Sequence, residues 1–203
     1  MKVATLGPRG TFSQAVNGYH KEAEIIFKPT VWDVFEATAA GEGDFGIVPI
    51  ENSIDGSVND TLVALFHFDL NIKAEVAFSR RCHTIKKISN VVSDSIINVD
   101  VTRFIVLAKD DANERTGRDK TSLVVYPVAN RPGILCEILE EFKFKNINLT
   151  KIASRLLGKL GDYIFYIDCE GHREDSVVAE ALKKIEDKVA FMKILGSYPR
   201  MCN

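Results

Sequence analysis

Residues 46–58, GIVPIENSIDGSV, run an apolar segment, Ile47-Val48-Pro49-Ile50, straight into Glu51, Asn52 and Ser53. A carboxylate, an amide and a hydroxyl gather on one strand-to-helix corner. Such groups bind and orient polar substrates, and ligands of open α/β sheets sit beyond the carboxyl ends of the strands. The same three residues also read as a solvated turn. Pro49 argues for a specially shaped strand end, because a proline limits ladder pairing. GPRGTFS, residues 7–13, offers Gly7 and Gly10 for close backbone approach, and Thr11 or Ser13 to cap a helix whose amides attract an anion. An ordinary turn has that composition too. In VTRFIVL, residues 101–107, Thr102 can donate a hydrogen bond and Arg103 can fork a carboxylate; a β-prone threonine and an edge arginine would look the same.

The elements that must position these groups divide the chain in two. The first half alternates: strand Val3–Leu6, helix Thr11–Glu22, strand Glu24–Phe27, helix Val31–Ala40, strand Phe45–Ile50, then a helix capped by Ser57 and running to about Phe68. Ile72–Phe78 and Thr102–Leu107 add two strands. Strand-helix alternation predicts a parallel or mixed α/β sheet. Residues 108–122, AKDDANERTGRDKTS, have linker composition. Beyond them come strand Leu123–Val128, helix Ile134–Phe144, strands Asn148–Arg155 and Tyr163–Cys169, a helix over about 175–188 and strand Phe191–Leu195. That order is βαββαβ, the ferredoxin-like pattern.

Composition bounds the function. The 203 residues are 46% hydrophobic and 27% charged, with a net charge of −2, so no nucleic-acid footprint is present. No apolar run reaches membrane-span length. MKVATLGPRG lacks a signal-peptide core, so the expected location is the cytoplasm. Cys82, Cys136, Cys169 and Cys202 form no C-x-x-C pair, and four scattered histidines predict no metal site and no metal cofactor.

Taken together, GPRGTFSQ, VPIENSIDGSV and VTRFIVL resemble prephenate dehydratase. ANRPGILCEILEEF (129–142), NINLTKIASR (146–155), YIFYIDCEGH (163–172) and ILGSYP (194–199) resemble the ACT domain that commonly follows that catalytic domain. The resemblance implies a periplasmic-binding-protein-like catalytic lobe over 1–108, a linker over 109–120 and an ACT domain over 121–203. It implies conversion of prephenate to phenylpyruvate with loss of water and carbon dioxide and without a cofactor. Thr102 would assist hydroxyl departure. Glu51, Asn52 and Ser53 would position substrate, with Arg103, Gly10, Thr11, Ser13 and Phe104 as further contacts. L-phenylalanine would bind as effector near Gly133, Ile134, Leu135, Asn148, Leu149, Thr150, Ser154 and Arg155. A homodimer or homotetramer would form through the ACT half, whose sheet would expose one face.

The sequence also departs from that family. Residues 79–93 pass almost directly into 94–104, so the catalytic domain is shortened near 93–95. The Ser-His-Pro-Gln type segment, a downstream glutamine and a Ser-Thr segment are absent. Where the family reads Glu-Ser-Arg-Pro, this chain has Ala153-Ser154-Arg155-Leu156, which predicts weakened effector affinity. The alternative is a non-catalytic amino-acid-binding or regulatory protein that keeps a relic catalytic lobe.

Overall fold

The computed structural model describes residues 1–8, 19–20, 22–83, 97–111, 113–158 and 161–201. The first half forms a mixed sheet. Strands β1 (Lys2–Leu6), β2 (Glu24–Lys28) and β3 (Phe45–Asn52) are parallel. β6 (Ile97–Ala108) joins β3 antiparallel, and β5 (Asn71–His83) closes the edge in the order β2-β1-β3-β6-β5. The two-residue β4 (Gly56–Ser57) folds back on β3. β5 and β6 run well past the predicted strands, staying paired out to His83 and Ile97.

Helix α1 (Val31–Ala40) forms where predicted. Thr30 accepts from the Asp33 amide and Asp33 accepts from the Thr30 amide, a capping box, and Gly41 ends the helix at a φ of 81°. Its stripe Val31, Val34, Phe35, Ala37 and Thr38 is buried against the sheet. The approach is close: a Cβ at Gly46 of β3 would lie 2.4 Å from Thr38 Oγ1. Helix α2 (Asn59–His67) begins without a side-chain cap. Ser57, predicted to supply one, lies instead in β4. The predicted helix from Thr11 falls almost wholly outside the described residues.

The second half runs β7 (Asp119–Pro127), α3 (Ile134–Phe144), β8 (Leu149–Leu156), β9 (Tyr163–Glu170), α4 (Ser176–Glu186) and β10 (Val189–Pro199). The strands are antiparallel in the order β10-β7-β9-β8. β7 starts inside the stretch predicted as linker, and its Asp119 and Lys120 are buried. One face of this sheet packs on α3 and α4 through Leu123, Val125, Ile138, Phe142, Ile167 and Ile185.

The opposite face was expected to be exposed and is not. Val124, Ile164, Tyr166, Leu195 and Tyr198 share a core with Leu62 and Leu65 of α2 and Ile72 of β5. The reason is polar as well as apolar. Tyr166 donates its hydroxyl to the Leu62 carbonyl at 2.6 Å, and Lys193 Nζ caps α2 through the Phe68 carbonyl at 2.5 Å. β10 lies so close to β5 that a Cβ at Gly196 would fall 2.3 Å from the Ile72 carbonyl oxygen. No helix among the described residues is long and apolar enough to cross a membrane.

Candidate functional site

The corner at 51–53 is shaped by one irregularity in β3. Val48 pairs with Ile105 and Pro49 with Phe104, but the next residue to find a partner is Glu51, opposite Arg103. Ile50 is the extra residue of a β-bulge. Regular alternation would have set Ile50 against Arg103 and Glu51 against Thr102. The bulge turns Glu51 onto the face of Arg103 and Asn52 onto the face of Thr102. This is what the proline in the strand signalled.

The two faces carry different chemistry. On the Thr102 face, Asn52 Nδ2 donates to Thr102 Oγ1 at 2.9 Å and to Asp100 Oδ1 at 2.5 Å. Asn52 Oδ1 accepts from the amides of Ile54 and Asp55 at 2.8 and 3.1 Å. These backbone donors fix which end of the amide faces Thr102. Ser53 binds the strand beside Thr102: its amide donates to the Val101 carbonyl at 2.9 Å and its Oγ accepts from the Val101 amide at 3.0 Å. Thr102 is half-buried. With an acceptor site of its oxygen filled by Asn52, its own O–H is the proton it can give away.

On the other face Arg103 is a hub. Nε donates to Glu51 at 2.6 Å, one terminal nitrogen to Glu75 at 3.0 Å, and the other to Asp168 at 2.8 Å. Two lysines of the second sheet complete the network. Lys120 meets Glu75 at 2.8 Å, and Lys151 meets Glu51 at 2.5 Å and Ser57 Oγ at 2.8 Å. Three cations therefore face three carboxylates, and five of the six side chains are less than a tenth exposed. Burial alone would raise the Glu51 carboxyl, but Arg103 and Lys151 outweigh it and hold it below the usual range. Glu75 is likewise lowered against burial, by Lys120, the Met201 amide and Arg103. Both stay ionised at neutral pH, so neither serves as a proton donor there.

This bears on two expectations. Arg103 was predicted to fork a substrate carboxylate; three of its N–H donors go to the chain's own carboxylates, and the residue also lines the corner cleft. Phe104 was predicted to touch substrate, but it packs in the core with Val3, Ile47 and Val106, on the face of Thr102 but two residues further into the sheet. Gly10, Thr11 and Ser13 lie outside the described residues.

The residues expected to bind an effector divide as well. Gly133 precedes α3 at a φ of 87°, with Ile134 and Leu135 on its first turn. Asn148, Leu149 and Thr150 follow its other end. An eleven-residue helix is about 16 Å long at ~1.5 Å per residue, so one chain does not bring the two groups together. Ser154 and Arg155 lie further along β8, an edge strand of the sheet. Asp100, Glu75, Lys120, Lys151 and Asp168 were not singled out from the sequence. A charge inside an apolar strand, as Asp168 in YIFYIDCE, is the signal that could have found some of them.

An open cleft of about 540 Å³ lies at the corner, lined by Glu51, Ser53 and Ser57 on one side and by Thr150, Lys151 and Ile152 of β8 on the other. Among the described residues no group of three His, Cys, Asp or Glu could hold a metal ion.

The prephenate dehydratase family model matches residues 3–96. A bifunctional chorismate mutase/prephenate dehydratase of Aquifex aeolicus is 31% identical over 269 residues, covering 98% of this chain and 74% of that protein. The structure is similar to that of prephenate dehydratase from Streptococcus mutans, with 33% identity, a TM-score of 0.79, and coverage of 98% of this chain and 100% of that one. It is also similar to prephenate dehydratase from Arthrobacter aurescens in complex with L-Phe, with 29% identity, a TM-score of 0.82, and coverage of 98% and 90%.

Proposed function

This chain belongs to the prephenate dehydratase family, and we propose that Thr102, set by Asn52, carries its lyase chemistry. Prephenate loses its ring carboxylate as carbon dioxide. The electron pair of that C–C bond enters the ring, hydroxide leaves the opposite carbon, and the hydroxide takes up a proton as water. Aromatisation drives the change, so the protein must bind the dianion and stabilise the departing oxygen. Thr102 is too weak an acid to hand over a full proton early. A hydrogen bond to the developing charge is the role its geometry fits. The observation that carries this is the Asn52–Thr102 contact at 2.9 Å, which points the amide donor at the threonine oxygen and leaves the O–H for substrate. Ser53 steadies the same strand pair.

The reading extends to a shortened catalytic domain. The aligned stretch with the Aquifex aeolicus protein spans 269 residues against 203 in this chain. β5 and β6 pair directly, and only residues 84–96 separate them. The second half is read as an ACT domain that takes L-phenylalanine. Its βαββαβ order and the L-Phe complex of the Arthrobacter aurescens protein support this. Because α3 separates Gly133–Leu135 from Asn148–Thr150, the effector would sit between two copies. The edge strand β8, with Ile152 and Leu156 about half exposed, is where a second copy would join.

The test is an ultraviolet assay of phenylpyruvate formation from prephenate. Turnover by the parent, lost in Thr102→Ala and largely kept in Thr102→Ser, supports the reading. A folded parent that forms no phenylpyruvate overturns it.

A further inference from the structure

The cleft at the corner takes one wall from the second half, and one residue of that wall holds the hairpin that carries Asn52. Lys151 lies 100 residues from Glu51 in sequence, and its side chain is 5% exposed. Both of its partners, Glu51 and Ser57, belong to the first half, and these two face each other across the β3–β4 pair. Lys151 thus bridges the two ends of the hairpin 51–57. Between those ends lies the turn whose Ile54 and Asp55 amides fix the Asn52 side chain, and Asn52 sets Thr102.

Lys120 provides the contrast. It is a second buried cation from the same sheet, but its partner Glu75 lies on β5 and it touches nothing in 51–57. Both lysines join the halves; one of them also holds the hairpin.

We propose that Lys151 is a positioning residue for the dehydration, supplied by the second half. The first half then depends on β8 for the geometry of its own catalytic corner. This rests on the dehydratase reading above, since it concerns where Thr102 points during that reaction.

The experiment compares Lys151→Gln, Lys151→Arg and Lys120→Gln in the full chain, by turnover on prephenate and by hydrogen exchange at the Ile54, Asp55 and Val101 amides. Lys151→Gln should lower kcat on the order of 10²-fold, the effect of a misplaced catalytic group, with KM moving far less. It should speed exchange at the three amides. Lys151→Arg, which keeps the charge, should recover part of both. Lys120→Gln should leave kcat and those amides as in the parent. Equal effects of Lys151→Gln and Lys120→Gln would overturn the proposal, reducing Lys151 to a tie between halves. Unchanged exchange and kcat in Lys151→Gln would overturn it too. A folded parent without turnover would remove the dehydratase reading, and the exchange contrast would then decide the positioning role alone.

Discussion

Thr102 and Arg103 are adjacent on β6 and face opposite sides of one sheet. Thr102 meets a single uncharged amide donor and keeps its proton. Arg103 meets three carboxylates and has each nitrogen engaged. The same alternation gives Asn52 to one side and Glu51 to the other, once the bulge at Ile50 has shifted the register. The corner thus splits into a face where Asn52 joins Thr102 to the Asp100 carboxylate and an ionic face that binds the second sheet. Polarity in a strand does not by itself mark a site; the face and the partner decide.

The largest expected effect is on the ionic face. Arg103→Leu leaves Glu51, Glu75 and Asp168 short of a cation at once. Removing one partner of a buried ion pair costs about 3–5 kcal/mol, and the urea midpoint should fall accordingly. Arg103→Lys should also destabilise, by less, because a point charge cannot reach three carboxylates held by a planar fork. An Arg103→Lys protein as stable as the parent, with only a raised KM, would return the arginine to the substrate.

Much of this division was legible only in part. α1 was readable because the Thr30-Asp33 box, the apolar stripe and Gly41 are all local. The corner was readable as a corner because Pro49 and the polar run Glu51-Asn52-Ser53 follow directly on an apolar strand. Its split was not, since a bulge is set by how β3 meets β6, some 50 residues later. Arg103 looked like a substrate fork because its partners lie 28, 52 and 65 residues away. The buried face of the second sheet was missed for the same reason. Nothing local to Tyr166 or Lys193 announces α2 as their acceptor.

On the Thr102 face, Asn52→Ala should lower turnover by less than loss of Thr102 itself, since the amide acts through the threonine. A fall of roughly tenfold corresponds to about 1.4 kcal/mol of transition-state stabilisation, and steady-state kinetics on prephenate reads it. Stability should change little by comparison with Arg103→Leu. Equal losses of stability in the two variants would erase the contrast between faces.

Acid should attack the ionic face first. Glu51 and Glu75 titrate below their ordinary range in the fold. Their stabilisation is therefore complete above the unfolded carboxylate value of about 4.3 and is lost as pH falls through the lower folded values. Urea midpoints should hold from pH 7 to about pH 5 and then drop. Glu51→Gln should start lower and fall less steeply.

The smallest effect expected is on effector binding. Under the proposed ACT reading, Ala153 and Leu156 stand in place of a glutamate and a proline, so calorimetry should detect L-phenylalanine only weakly. Under the proposed pairing through β8, Ile152→Lys should abolish that binding and leave a monomer in light scattering. Submicromolar affinity in the parent, or a monomeric parent that binds, would contradict this picture of the second half.

The turnover of Thr102→Ala tests most directly whether the Thr102 face does the chemistry. Prephenate conversion should fall by about 10²–10⁴-fold, while the urea midpoint stays near that of the parent and Thr102→Ser keeps much of the rate. A folded Thr102→Ala protein that converts prephenate as fast as the parent would contradict the account.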